Sequence, residues 1–268
     1  MGSVIFFGII VGTVTAYFMR PLQRPASKLV EIIEYNLEQL DALSVEELDL
    51  LKDTVDTLFP RLFEVLEVQA HQADSFVLPE YNEERLQMEL DLFPDWYLAQ
   101  HKHRPLSASD RTAWQDMCGL LTESALNQPQ VFVHRDFHSC NLLDLNGETG
   151  IIDFQDALHG PISYDFISLI WDRYIAWPRE RLEGWMAEMH ARHNLDYSLQ
   201  EWIRQCDWMG LQRNIKIVGI FARLRYRDGK SGYLKMLPLF YRYLLDVLPR
   251  YPEFDDFRQV LEQDECAP

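Results

Sequence analysis

Cysteine is scarce and scattered. The chain holds four, Cys118, Cys140, Cys206 and Cys266, with no CxxC pair and no His/Cys cluster. That excludes a thiolate zinc site and a disulfide framework, and it fits a reducing compartment. Positive charge is also short: 25 Lys and Arg stand against 42 Asp and Glu, a formal net charge of -17. A field of that sign repels phosphate backbones and anionic lipid, so nucleic acid is excluded as a partner. Glycine is sparse in the first half. Only Gly2, Gly8, Gly12 and Gly119 precede His134, and none falls in a GxGxxG pattern. There are no internal repeats and no low-complexity tracts. Apolar residues, by contrast, are plentiful, 47% of 268. That is enough for a real core in one large domain or two small ones, and too much for a disordered chain.

Residues 4–19 carry no charge. A membrane-spanning helix needs about 20 apolar residues, so this run is at the lower limit. Arg20, Arg24 and Lys28 follow it and no basic residue precedes it, which places its C-terminal side in the cytoplasm if it spans. Gly8 and Gly12 form a GxxxG pair suited to close helix approach. Phe6 stands where a myristoylation signal needs Ser or Thr. The run reads either as an anchor to the inner membrane face or as a buried strand or helix. The expected division is residues 1–25 as an apolar leader and 26–268 as a helical domain.

Beyond the leader the pattern is mainly helical. Apolar residues recur at three- and four-residue steps through 27–68, with Ser44 and Glu47 as a capping box. Further helices are expected over 83–100, with Pro94 as a kink or a restart, and over 109–126, with Ser109 as cap. Others follow over 162–174, 178–193, 199–224 and 230–247, with a last helix in the acidic tail from 253 to 265. Strands are expected over 131–133, 142–145 and 150–154, the last two joined at Asn146-Gly147, a strong hairpin signal.

The stretch "VFVHRDFHSCNLLDLNGETGIIDFQDA", residues 131–157, carries the chemistry. Counted from Gly147, Asn141 lies six residues before and Asp153 six after, so a hairpin sets them side by side within a residue of register. The loop holding Asp136 leads into that same open end. Asn141 offers a carbonyl oxygen and Asp153 a carboxylate, the hard ligands that Mg²⁺ takes alongside water and phosphate. Asp136 suits the task of accepting a proton from a substrate hydroxyl. The order HRD-x₄-N, hairpin, D-F is that of a kinase catalytic loop followed by its metal site.

This stretch resembles the aminoglycoside phosphotransferase and choline kinase family, distant relatives of protein kinases. "IIDFQDALHGPISYDFISLI" is similar to that family's metal-binding strand with its Gly-Pro turn and second aspartate. "LQMELDLFPDWYLAQH", "VHRDFHSCNLL", "FQDALHGPISYD" and "GLQRNIKIVGIFARLRYRDGK" look like bacterial kinases that act on the anomeric hydroxyl of N-acetylmuramic acid and N-acetylglucosamine in cell-wall recycling. The likeness runs over residues 43–248. It implies an α+β fold, mainly α: a kinase-like C-terminal lobe with a small β-hairpin at its site. It implies Mg²⁺ and ATP as cofactors, a small sugar as substrate, Asp136 as catalytic base, and Asn141 and Asp153 as metal ligands. It also implies that Asp165 braces the catalytic loop, although a charge favoured at a helix N-terminus is an equal reading.

Other residues stay open between roles. His134 reads as a structural hydrogen-bonder or a proton carrier, and His138 is equally ambiguous. Arg135 pairs with an acid or phosphate, or sits in a surface ion pair. Trp96, Trp171, Trp177, Trp202 and Trp208 stack on a sugar or, more simply, fill the core. Arg213 and Lys216 meet a substrate anion or lie on a solvated helix face. The family's small β-rich lobe, with its Gly-rich loop and strand lysine, is not seen: Lys28, Lys52 and Lys102 are the lysines before His134, and none lies in a Val-Ala-x-Lys strand. Three readings remain in view: an ATP- and Mg²⁺-dependent amino-sugar kinase, a catalytically silent sugar-binding relative, and a shortened relic that folds without function.

Overall fold

A computed structural model describes residues 59–68, 78–138, 141–145, 148–171 and 176–265. The apolar leader, the Ser44–Glu47 capping box and the Asn146-Gly147 turn lie outside these residues. Among the described residues no helix is long and apolar enough to cross a membrane.

The architecture is mostly helical. Helix α1 covers residues 59–68. Helix α2 (Glu83–Leu90) is capped by Asn82, whose side chain accepts from the Arg85 amide. At Pro94 the chain restarts after α2 rather than simply kinking. The backbone rewinds there as a π-helix, Phe93–His101, with the proline in its first turn. Helix α3 (Ala108–Leu126) is capped by Ser107, not Ser109: Ser107 and Asp110 exchange side-chain and backbone bonds as a capping box. Asp110 fills a role more often taken by Glu, so the box is hard to see in the sequence and Ser109 draws the eye instead.

Among the described residues four short strands follow, β1 (Gln130–Val133), β2 (Leu142–Leu145), β3 (Glu148–Ile151) and β4 (Leu158–Pro161). They form two antiparallel pairs, β1 with β4 and β2 with β3. The β4 strand, "LHGP", has a glycine and a proline in four residues, so neither propensity nor alternation marks it. It forms because β1 and the segment before α2 flank it: the Tyr81 amide donates to the His159 carbonyl at 2.8 Å, and the His159 amide to that of Pro79 at 2.9 Å.

Helices α4 (Ser163–Ile170), α5 (Arg179–His193), α6 (Leu199–Tyr226), α7 (Leu237–Val247) and α8 (Asp255–Glu265) complete the chain, with a 3-10 turn, Ser231–Met236, ahead of α7. The 28-residue α6 is the axis of the core. Two glycines let neighbours approach it. A Cβ at Gly210 would fall 1.4 Å from the Trp171 ring, and one at Gly219 would fall 2.4 Å from the Leu92 backbone. Trp202 closes α6 on α5 by donating its indole N–H to the Met186 carbonyl at 2.9 Å. Trp171, Trp202 and Trp208 are all buried, which makes them core residues rather than a sugar platform. Trp96 and Trp177 pack against the same core from its margin.

Candidate functional site

The loop after β1 is where the fold gathers its polar groups. Asp165, in the first turn of α4, is buried, and its carboxylate reaches across to that loop. Its Oδ2 accepts from the His134 amide at 2.6 Å and its Oδ1 from the Arg135 amide at 3.0 Å. Burial pushes its pKa up to about 7, with Asp136 adding repulsion, while the two amides and Arg213 pull the other way. One side chain thus fixes two consecutive backbone N–H groups that a loop would otherwise leave to water.

His134 is fully buried and both ring nitrogens are engaged. Nε2 lies 2.9 Å from the Ile152 carbonyl, and Nδ1 takes the Asp136 amide at 3.3 Å. That bonding assigns the neutral ring with its proton on Nε2. His134 therefore ties the loop to the end of β3, next to Asp153. His138 contributes through its backbone: its amide donates to the Asp136 carbonyl at 3.0 Å and its carbonyl accepts from the Asn141 amide at 2.9 Å.

The hairpin register differs by one residue from equal offsets about Gly147. Leu142 faces Ile151 and Leu145 faces Glu148, so the ladder places Asn141 opposite Ile152, whose amide donates to the Asn141 carbonyl at 3.0 Å. Asp153 is the next residue, and a left-handed φ of 69° turns it back. The two side chains still meet: Asn141 Nδ2 lies 3.5 Å from Asp153 Oδ2. The same Nδ2 donates to the Asp136 carbonyl at 2.9 Å, which leaves Oδ1 as the amide's remaining acceptor. Gln155 donates to Asp153 Oδ1 at 2.5 Å. Asp136 and Asp153 are exposed and Asn141 is buried beneath them.

The donor set fits a small hard cation: one carboxylate and one amide oxygen, ligands that Mg²⁺ takes alongside water and phosphate. Among the described residues no group of three or more His, Cys, Asp or Glu side chains is arranged to hold a metal. A Mg²⁺ bound through one carboxylate and one amide needs no such cluster.

Behind the loop lies a second polar group that pattern reading does not find. Glu89, on α2, is buried. It pairs with the Arg135 guanidinium and accepts from the Tyr81 hydroxyl. Gln212 Nε2 lies 3.2 Å from its Oε2, and Lys216 Nζ lies 3.0 Å from its Oε1. Lys216 also donates to the Tyr164 hydroxyl at 2.9 Å. Burial by itself would raise the Glu89 pKa, but Lys216 and Arg135 outweigh it and hold the carboxyl below its usual range. Of the two roles open to Arg135 it takes the pairing with an acid, reaching inward to a buried carboxylate. The solvated face expected for Arg213 and Lys216 is corrected: both are turned into the protein. The cause is that α6 is enclosed by neighbours on most sides, so its polar residues are drawn inward toward polar partners. One signal is present in the sequence: Glu89 sits between Leu86 and Phe93, at helical spacing on an apolar stripe.

A sequence profile of the phosphotransferase enzyme family matches residues 37–201. Several curated proteins are similar, each named an N-acetylmuramate/N-acetylglucosamine kinase. The protein of Pseudomonas aeruginosa is 44% identical over 190 residues, 69% of this chain and 56% of its own length. That of Neisseria meningitidis is 41% identical over 201 residues, 73% of this chain and 60% of its own. That of Pseudomonas putida is 34% identical over 230 residues, 84% of this chain and 66% of its own. The chain thus spans between half and two thirds of the length of these relatives.

Proposed function

The chain belongs to the phosphotransferase enzyme family, and from that membership we propose that it serves the ATP- and Mg²⁺-dependent phosphorylation of an amino-sugar hydroxyl, of the N-acetylmuramate or N-acetylglucosamine type. One observation carries the reading: Asn141 bridges the Asp136 backbone and the Asp153 carboxylate within 3.5 Å, on a loop that Asp165 holds by two amides.

Asp136 acts as the base. It is exposed, so a sugar hydroxyl can approach it, and its backbone is fixed on both sides by His134 and Asn141. Accepting the hydroxyl proton as the oxygen attacks phosphorus is worth about 10²–10⁴ in rate. Asp153 and the Asn141 amide oxygen would hold Mg²⁺, which when bound would supply neutralising charge for the transferring phosphoryl group. Asp165 and His134 keep these groups in register and take no part in proton transfer.

A second reading has support of its own. Among the described residues no lysine lies on a strand to grip a nucleotide, and the second reading is that this chain has no such grip. In that case the chain keeps a sugar site without transfer. As the domain division we propose residues 26–268 as the phosphotransferase unit and 1–25 as the apolar leader.

Isothermal titration with Mg·ATP and with each amino sugar, alongside transfer of labelled γ-phosphate to the sugar, separates the readings. Heat from both ligands with label on the sugar supports the kinase. Heat from sugar alone supports the silent binder. Heat from neither contradicts both.

A further inference from the structure

Arg135 immediately precedes the proposed base and has a left-handed φ of 76°. A residue with a Cβ is disfavoured there, and glycine or asparagine is the usual occupant. Something must hold an arginine in that conformation. The Asp165 bond to its amide is one restraint. The other is its side chain. The guanidinium pairs with Glu89 and lies over the Tyr81 ring, 5.9 Å from the centroid.

Glu89 is a well-fixed anchor. Three side chains grip its carboxylate independently of Arg135. Tyr81, in the segment pinned to β4, donates its hydroxyl. Gln212 and Lys216 reach it from α6. Gln212 also donates to the Tyr81 hydroxyl at 3.2 Å, which closes the network. The carboxylate is thus set in place before the loop meets it. A group prefixed in this way loses little entropy when Arg135 binds, and it passes the rigidity of α2 and α6 to the loop.

We infer that Glu89 is a positioning residue for Asp136: it anchors the Arg135 guanidinium, and so keeps Arg135 in the left-handed conformation that presents Asp136 to the surface. The conformational part stands on the geometry alone. The effect on turnover rests on the phosphotransfer reading. Glu89 touches no reacting atom and acts through Arg135.

The test compares the full chain with E89Q and R135M. The glutamine keeps the shape of Glu89 but weakens the anchor. The methionine keeps a Cβ at Arg135 and removes the guanidinium, while Glu89 retains its lysine, so this variant folds even if E89Q does not. Hydrogen exchange is read over residues 131–138. The amides of His134, Arg135 and Asp136 are expected to exchange about tenfold faster in both variants, with α6 amides unchanged. In phosphoryl transfer, kcat is expected to fall about tenfold or more, with KM for sugar and Mg·ATP within about twofold. Loop exchange at the wild-type rate in folded R135M overturns the inference, as does unchanged kcat in an active chain. Absence of wild-type transfer defeats the phosphotransfer reading instead, and loop exchange then decides the role of Glu89.

Discussion

Asn141 is bound to both acids of the site at once: its Nδ2 donates to the Asp136 carbonyl at 2.9 Å and stands 3.5 Å from Asp153 Oδ2. One amide therefore sets the spacing between the loop that carries Asp136 and the carboxylate after the hairpin. Removing that amide acts on both. Asn141→Ala is expected to cost about 1 kcal/mol of stability for the lost bond and to weaken divalent-ion affinity, as read by denaturant unfolding and by metal titration of the folded protein.

Asp136→Asn separates chemistry from folding. The side chain is exposed, so unfolding free energy is expected to stay within about 1 kcal/mol of wild type. Phosphoryl transfer is expected to fall about 10²–10⁴-fold. Transfer at the wild-type rate in the folded variant removes the base from Asp136.

Asp165 makes stability depend on pH. Its folded pKa is raised to about 7 by burial, while an unfolded aspartate ionises near about 3.9. Between those values the unfolded chain has released a proton that the folded chain still holds. The contribution of Asp165 is thus full below about pH 4 and falls as pH rises toward 7, levelling above it. The difference in unfolding free energy between wild type and Asp165→Asn, followed from pH 4 to 8, is expected to slope in that sense. A flat difference means Asp165 is ionised throughout.

Gly210 tests the packing of the core behind the site. A methyl there would meet the Trp171 ring at 1.4 Å, and Trp171 directly follows α4, the helix that carries Asp165. Gly210→Ala is expected to destabilise the fold by at least about 1–3 kcal/mol and to shift the near-ultraviolet tryptophan signal. An unaltered melting curve contradicts the packing.

The site is legible in the sequence because its residues are ordered by a local device. His134, Asp136, Asn141 and Asp153 lie within 20 residues around one hairpin, and a hairpin brings chain neighbours together by register. Counting from Gly147 lands one residue from the observed register, within the allowance made for it, since two residues, not one, separate Leu145 from Glu148. The Glu89 cluster is not legible, because its members come from α2, the loop after β1 and α6, and only tertiary packing unites them. Strand β4 escapes for the same reason: its pairing comes from β1 and from residues 79–81, not from its own sequence. The helices are plain from their periodicity, apart from the π-helical rewinding at Pro94 and the cap at Ser107.

The most direct test of the proposed phosphate-handling centre is a titration of the folded chain with Mn²⁺ in place of Mg²⁺, read by electron paramagnetic resonance, for wild type and Asp153→Ala. One bound ion per chain in the wild type, with affinity reduced by about tenfold or more in the variant, is the predicted result. Equal binding by the two proteins, or no binding by the wild type with or without ATP, would contradict it.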